Sequence, residues 1–153
     1  MPFRRLLQSA LDAIGRSTSQ AGRRHQTQTL ADLETYLAAL MRSKHADAFL
    51  IVEVEGTLDF LQFTSNSSGV QLDLPLLTER QVALESKFRS IAQELALEIE
   101  ENKGSSGDRF LDINLSGDAS KIAATVEQVF GRLYAVDRET AIRFECNACA
   151  HEE

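Results

Sequence analysis

The alternation of apolar and polar positions is strongest between residues 49 and 75, where it has the two-residue period of half-buried β-strands. It predicts three strands, which cover residues 49–55, 57–65 and 70–75. Gly56 and the Asn66–Gly69 run break the pattern with residues that favour tight turns. Short turns join antiparallel neighbours, so the three strands are predicted to form a meander. The middle strand has apolar side chains on both faces, which predicts an interior position in the sheet.

Apolar residues at helical spacing predict two helices that flank this meander. The first covers residues 29–44 and has Thr29 as its N-cap; its stripe consists of Leu30, Leu33, Leu37, Leu40 and Met41. The second begins at the capping-box pair Thr78 and Gln81 and is predicted to continue to about Asn102. We expect its stripe to lie on the sheet; the stripe consists of Leu84, Phe88, Ile91, Ala92, Leu95 and Ile99.

The last third of the chain continues both patterns. Residues 110–115 alternate as a fourth strand, and residues 140–146 predict a fifth. Between them Asp118 is the predicted N-cap of a helix whose stripe consists of Ile122, Val126, Val129, Phe130 and Leu133. With a further helix at residues 3–14, the predicted order is α-α-β-β-β-α-β-α-β. This order indicates a two-layer α+β fold, in which helices cover one mainly antiparallel sheet made of the meander and one or two further strands.

The first 28 residues differ from the rest in charge. They contain five Arg and one Asp, a net charge of +4, whereas the remainder holds 11 basic and 22 acidic residues, a net charge of −11. We therefore expect a basic amphipathic N-terminal arm (residues 1–28), a single α+β domain (29–146) and a C-terminal tail (147–153). Three interpretations of the arm stay open: a helix docked on the body or on a second subunit, a segment that binds an anionic membrane surface through residues 1–24, and an organelle transit peptide.

Composition limits the class of protein. The chain has 153 residues, of which 43% are apolar and 25% charged, as expected for one globular domain. No apolar run approaches the ~20 residues that a membrane span needs. The acidic body argues against nucleic acid as the main partner, because phosphate binding needs a basic surface. Two cysteines are too few for a disulfide framework, so we expect a cytoplasmic protein.

Few residues form a recognisable chemical motif. Cys146, Cys149 and His151 offer two thiols and an imidazole, but a closed zinc site needs four ligands. Incidental cysteines, a metal site shared across a dimer and a redox pair are the three interpretations. The Gly104–Asp108 run is predicted to be a plain loop, because it lacks the Lys-Ser/Thr ending of a phosphate loop. His25 and His45 are predicted to be surface residues. We therefore expect no catalytic residue, no cofactor and no metal ligand.

Several stretches resemble the YbjN-like and type III secretion chaperone-like domains. They are Leu58–Phe63, Gly69–Pro75, the helix start at Leu77–Thr78, Val126–Gly131 and Thr140–Phe144. The similarity covers roughly residues 30–146 and concerns the order of strands and helices. The chain departs from related domains after the central helix, where Ile99 is followed by Glu100–Gly104 instead of a Leu-Gly-aromatic unit. The resemblance implies a small, acidic, often dimeric protein that binds peptide segments or other proteins without catalysis.

These features favour a non-enzymatic protein- or peptide-binding module, chaperone-like or regulatory and homodimeric, that offers apolar sheet or helix surface to a partner segment. One alternative is a small-molecule-binding or enzymatic domain whose polar groups converge only in three dimensions. A deep pocket that favours this alternative would be lined by several of Asp59, Asp73, Arg109, Asp112 and Asn114. The other alternative is a membrane-peripheral adaptor that acts through the N-terminal helix.

Overall fold

The computed structural model describes residues 28–149, so the predicted helix at residues 3–14 and residues 150–153 lie outside the described residues. The described elements are, in chain order, a 3₁₀ turn (Leu30–Asp32), helix α1 (Leu33–Arg42), strands β1 (Phe49–Val54), β2 (Phe60–Asn66) and β3 (Gly69–Leu76), helices α2 (Glu79–Ala83) and α3 (Glu85–Glu94), strands β4 (Ile99–Lys103) and β5 (Arg109–Ser116), helix α4 (Ala119–Tyr134) and strand β6 (Ile142–Asn147). None of these helices is long and apolar enough to cross a bilayer.

The six strands form one antiparallel sheet in the order β4-β5-β3-β2-β1-β6. The predicted α+β class and the β1–β2–β3 meander are confirmed. Strand β2 has a neighbour on each side, as its apolar residues on both faces predicted. The insertion of β5 beside β3, and of β6 beside β1, widens the meander on both sides. The sheet is therefore wide enough for the helices to pack side by side on one of its faces.

The core lies between one face of the sheet and the helices, and we call this the first face. The strand residues on it include Leu50, Val52, Leu61, Phe63, Leu72, Leu74, Leu111 and Ile113, all buried. The helices bury their predicted stripes against them, with Leu33, Leu37 and Leu40 from α1, Phe88, Ile91 and Ala92 from α3, and Ile122, Val126, Val129, Phe130 and Leu133 from α4. These side chains form a single cluster, because every second residue of each strand points toward the helices.

Side-chain caps start two of the helical segments where the sequence predicted them. Thr78 and Gln81 form a complete capping box before α2, in which the Thr78 side chain accepts a hydrogen bond from the Gln81 backbone N–H. Asp118 caps α4 by accepting from the Lys121 backbone N–H at 2.8 Å. Each cap satisfies backbone donors that have no partner inside the helix.

The single helix predicted from Thr78 to about Asn102 is wrong. It is divided at Leu84 into α2 and α3, and it ends when Ala96 adopts a left-handed conformation with φ 56°. The Leu97 N–H donates to the Ala92 carbonyl at 2.8 Å, and the Ala96 N–H donates to Gln93, which together make a Schellman motif. Ile99 then begins β4 and lies opposite Ile113, so it packs on the first face as a strand residue. The sheet therefore has six strands instead of the four or five predicted.

Gly69 allows β3 and β5 to approach closely, which leads to a test of the fold. A Cβ at this position would overlap the backbone carbonyl oxygen of Leu115, which cannot move without disturbing the sheet. Gly69→Ala is expected to lower the free energy of unfolding by about 1–3 kcal/mol, measured as a lower urea midpoint at unchanged slope. Gly104→Ala is the control, because its Cβ would lie 3.8 Å from Asp108, an ordinary contact. Equal midpoints for the two variants would contradict the close approach.

Candidate functional site

The other face of the sheet carries the alternate strand residues, and we call it the second face. Its apolar members are Phe49, Ile51, Phe60, Pro75 and Phe110, and its polar members include Glu53, Gln62, Asp73 and Asp112. All nine are buried. The four apolar residues other than Pro75 are buried hydrophobics that do not belong to the cluster formed with the helices. The second face is therefore a separate environment that combines apolar and ionisable side chains.

A row of three polar side chains crosses the middle of the second face. Gln62 on β2 lies directly opposite Asp73 on β3, and Asp73 lies directly opposite Asp112 on β5. Their exposed fractions are 0%, 0% and 3%. Directly opposed residues in an antiparallel pair have Cβ atoms about 5 Å apart. The antiparallel register thus places an amide and two carboxyl groups side by side, away from water.

Each carboxyl group in this row has one satisfied oxygen and one unsatisfied oxygen. The Gln71 amide donates to Asp73 Oδ1 at 2.8 Å, and the Asn102 amide donates to Asp112 Oδ2. Within residues 28–149, no hydrogen-bond partner is found for the remaining oxygens, Asp73 Oδ2 and Asp112 Oδ1, or for the Oε1 and Nε2 atoms of Gln62. Buried polar atoms without a partner are costly and uncommon. The row therefore contains three buried acceptors and one buried donor without a partner among the described residues.

Burial raises the pKa of Asp73 well above its usual range, and the neighbouring Asp112 carboxyl raises it further. Asp73 therefore holds its proton more tightly than an exposed aspartate does, and its neutral form avoids the repulsion between the two carboxyl groups.

An apolar row runs beside the polar row. Pro75 lies opposite Phe110, and Phe60 continues the row on β2 opposite Glu53 on β1. It is two residues along each strand from Gln62, Asp73 and Asp112, a distance of about 7 Å. The second face therefore has an apolar row of three rings next to the polar row. Both rows cross the same three strands, β2, β3 and β5.

Glu53 lies at one end of the apolar row and is paired with Arg143 of β6. The Arg143 guanidinium donates to Glu53 Oε2 at 2.9 Å, and the Glu53 side chain is 2% exposed. Burial raises the pKa of Glu53 to about 6, and the attraction of Arg143 offsets only part of that rise. Glu53 is thus, after Asp73, a second carboxyl group on this face whose pKa is raised.

The structure brings together only some of the residues proposed for a converging site. Asp73 and Asp112 are neighbours, and Asn114 lies on the same face two residues along β5, where it is exposed. Asp59 is instead bound by Arg80 through two hydrogen bonds of 2.6 Å. Arg109 donates to Glu85 and Glu101 at 2.7 and 2.6 Å, and these contacts lower the pKa of both glutamates.

Gln62 was not among the predicted site residues, although its position carries a signal. It lies in an otherwise apolar stretch of β2, and the two-residue period places it on the face opposite Leu61 and Phe63. A polar residue in an interior strand with apolar neighbours on both faces indicates a buried polar contact.

Cys146 and Cys149 are joined by a disulfide bond. The sequence analysis did not predict this bond. Cys149 is buried and lines a cleft of about 380 Å³ whose other lining residues are Arg42, Ser43, Lys44, His45 and Ala148. Sulfur atoms in a disulfide are not thiolate ligands, and His151 lies outside the described residues. Between residues 28 and 149 there is no group of three or more His, Cys, Asp or Glu side chains that could hold a metal ion.

The raised pKa of Glu53 predicts how stability changes with pH. The folded state binds the Glu53 proton more tightly than the unfolded state, so this residue contributes stability that is complete below pH 4.5 and is lost as pH rises through 6. The shift corresponds to about 2 kcal/mol. Urea titrations of the wild type and of Glu53→Gln give the difference between their free energies of unfolding. This difference should fall by about 2 kcal/mol between pH 4 and 7.5. Glu55→Gln, an exposed position on the same strand end, is the control for loss of a carboxylate, and a flat difference for Glu53→Gln would contradict the prediction.

Comparisons with known proteins add no relative to this description. No family model matches the chain, and neither the curated proteins nor the solved structures give a match.

Proposed function

We propose that this protein is a non-catalytic, chaperone-like or regulatory module that binds a basic amphipathic helical segment of a partner protein on its second face. The observation that carries the proposal is the apolar row of Phe60, Pro75 and Phe110 beside the unsatisfied polar row of Gln62, Asp73 and Asp112. An amphipathic helix has the complementary pattern, with an apolar stripe bordered by charged side chains. Such a helix can cover both rows at once.

The chemistry of the two rows determines the class of partner. Three rings offer apolar area without an obligatory hydrogen-bond direction, so they accept leucine, isoleucine or phenylalanine side chains of a helix with little selectivity. The carboxyl pair supplies the selectivity, because a cation relieves the repulsion between the two groups whereas an anion increases it. The proposed partner segment is therefore basic as well as amphipathic.

The proposed function agrees with the class implied by the resemblance to YbjN-like and type III secretion chaperone-like domains. We propose the cytoplasm as its compartment and the homodimer as its assembly. Thiols are kept mostly reduced in the cytoplasm, so the Cys146–Cys149 bond is expected to open there.

An enzymatic function has weaker support. A carboxyl pair in which one pKa is raised is a feature of acid–base sites. A substrate, however, needs a concave site that it can enter. The clefts of about 380 and 490 Å³ among the described residues are not lined by Asp73 or Asp112.

A peptide titration of the full-length protein tests the proposal. A fluorescent basic amphipathic peptide of about 14 residues is titrated by anisotropy against the wild type, Thr64→Lys, Asn114→Lys and Gln128→Lys. Thr64 and Asn114 lie on the accessible end of the second face, whereas Gln128 is exposed on α4. The two second-face lysines should weaken binding roughly tenfold through like-charge repulsion, and Gln128→Lys should not.

Two results would reject the proposed surface. One is equal affinity for all four proteins, which would place the peptide elsewhere. The other is equal affinity of the wild type for the basic peptide and for its charge-reversed version with Glu in place of Arg. Higher salt should weaken the interaction of the basic peptide, because part of the attraction acts between solvent-exposed charges.

A further inference from the structure

We propose that Cys146 and Cys149 form a redox-reversible pair. Their disulfide holds residues 147–149 against the end of helix α1, and reduction by a low-molecular-weight thiol releases these residues. Cys146 on β6 lies directly opposite Leu50 on β1, and both belong to the first face. The pair therefore does not use the second face, and the inference does not depend on the proposed function.

The disulfide acts locally and does not join distant parts of the fold. Cys146 and Cys149 are three residues apart in the sequence, so the bond closes a very short loop. Closing a short loop removes little entropy from the unfolded chain, and such a bond stabilises a fold less than one that joins distant segments. Its main effect is on the direction that the chain takes after β6 ends at Asn147.

The segment after β6 is docked on both α1 and β1. Ser43 is the C-cap of α1, and its hydroxyl donates to the Ala148 carbonyl at 2.5 Å and accepts from the His45 backbone N–H at 3.2 Å. Cys149 is 7% exposed, and its Sγ lies 3.8 Å from the carbonyl oxygen of Phe49 at the start of β1. The docked segment therefore attaches the end of β6 to the helical layer.

The backbone of this segment opposes the docking. Ala148 has a left-handed conformation with φ 57°, which is unfavourable for a residue that has a Cβ. Holding the segment in one conformation is a further entropic cost, and the disulfide lowers it by restricting the same residues when they are not docked. After reduction, the Ser43 hydrogen bond and the burial of Cys149 must offset both costs. We therefore expect the reduced segment to leave its docked position.

A cleft gives a reductant access to the bond. Its volume is about 380 Å³, and Ser43, Ala148 and Cys149 are among its lining residues. Arg42 and Lys44 also line it, and both carry a positive charge. The attacking species in disulfide exchange is a thiolate, which positively charged side chains attract. The cleft therefore favours attack by a thiolate on Cys149 Sγ.

The exchange is a two-electron reaction that needs no further reactant. The thiolate attacks Cys149 Sγ, the S–S bond breaks, and Cys146 leaves as a thiolate that takes up a proton. A second thiolate attacks the reductant's sulfur in the mixed disulfide, and Cys149 leaves and is protonated in turn. One protein disulfide and two thiols thus give one protein dithiol and one low-molecular-weight disulfide. The reverse reaction, with that disulfide as the oxidant, forms the Cys146–Cys149 bond again.

Glutathione buffers test the redox exchange in the full-length protein. The fractions of disulfide and dithiol are measured by mass spectrometry after acid quenching and alkylation, over a series of ratios of oxidised to reduced glutathione. We expect the same equilibrium constant whether the protein starts oxidised or reduced. A structural disulfide resists reduction by glutathione. A bond that stays closed in the most reducing buffer would overturn the inference.

Two variants in the same buffers test whether the segment is released. Ser43→Ala should shift the equilibrium constant about fivefold toward the dithiol, because it removes a hydrogen bond of the docked segment. Ala148→Gly should shift it about threefold toward the disulfide, because glycine adopts the left-handed conformation at little cost. Ala135→Gly is the matched control, since Ala135 is also left-handed, with φ 54°, but caps α4.

These shifts occur only if reduction breaks the docked contacts. Equal equilibrium constants for the wild type, Ser43→Ala and Ala148→Gly would mean that the segment stays docked as a dithiol. That result would overturn the release. A shift in Ala135→Gly as large as that in Ala148→Gly would overturn the assignment of the effect to this segment.

The reactivity of Cys149 measures the release without any substitution. The wild type is reduced with a phosphine, and the alkylation of each cysteine by iodoacetamide is followed by mass spectrometry. A released Cys149 should react within about threefold of its rate in urea-unfolded protein. A Cys149 that kept its 7% exposure would react at least roughly tenfold more slowly than in the unfolded protein, and this result would show that the segment remains docked and reject the proposal.

Discussion

The antiparallel register between β2, β3 and β5 determines the chemistry of this protein. Because side chains alternate between the faces, the register that packs Phe63, Leu72 and Ile113 under the helices also places Gln62, Asp73 and Asp112 in one row on the other side. A shift of one residue would turn the core side chains away from the helices and place the polar row beneath them. The stability of the first face therefore maintains the unusual environment of the second, and the two cannot be changed independently.

Much of the fold follows from local pattern, and its failures have identifiable causes. The meander was predictable because a period of two, interrupted by turn residues, has few alternatives. The end of α3 was not, because the left-handed position of its Schellman motif is Ala96, whereas glycine is the usual signal. Ile99 then fitted a helical stripe and a strand equally well, since either structure places it on the first face.

The site was only partly predictable for a different reason. Asp73 and Asp112 stood among the candidate polar residues, but nothing in the sequence aligns two strands that are separated by two helices and a further strand. Their contact depends on the register of β3 with β5, which tertiary packing decides. Gln62 was absent from the candidate residues because a single amide in an apolar strand has no motif. Its two unsatisfied atoms became apparent only when the atoms around it were known.

The two borders of the sheet are protected in different ways from pairing with a further strand. On one side β4 is outermost and carries exposed Glu100, Glu101 and Lys103. On the other side the backbone of β6 is engaged near its start by Gln28, and Thr29 forms a bridge with Ala141. Charged or occupied borders discourage a foreign strand from extending the sheet. A broad sheet is thereby protected from the cross-β aggregation to which it is otherwise prone.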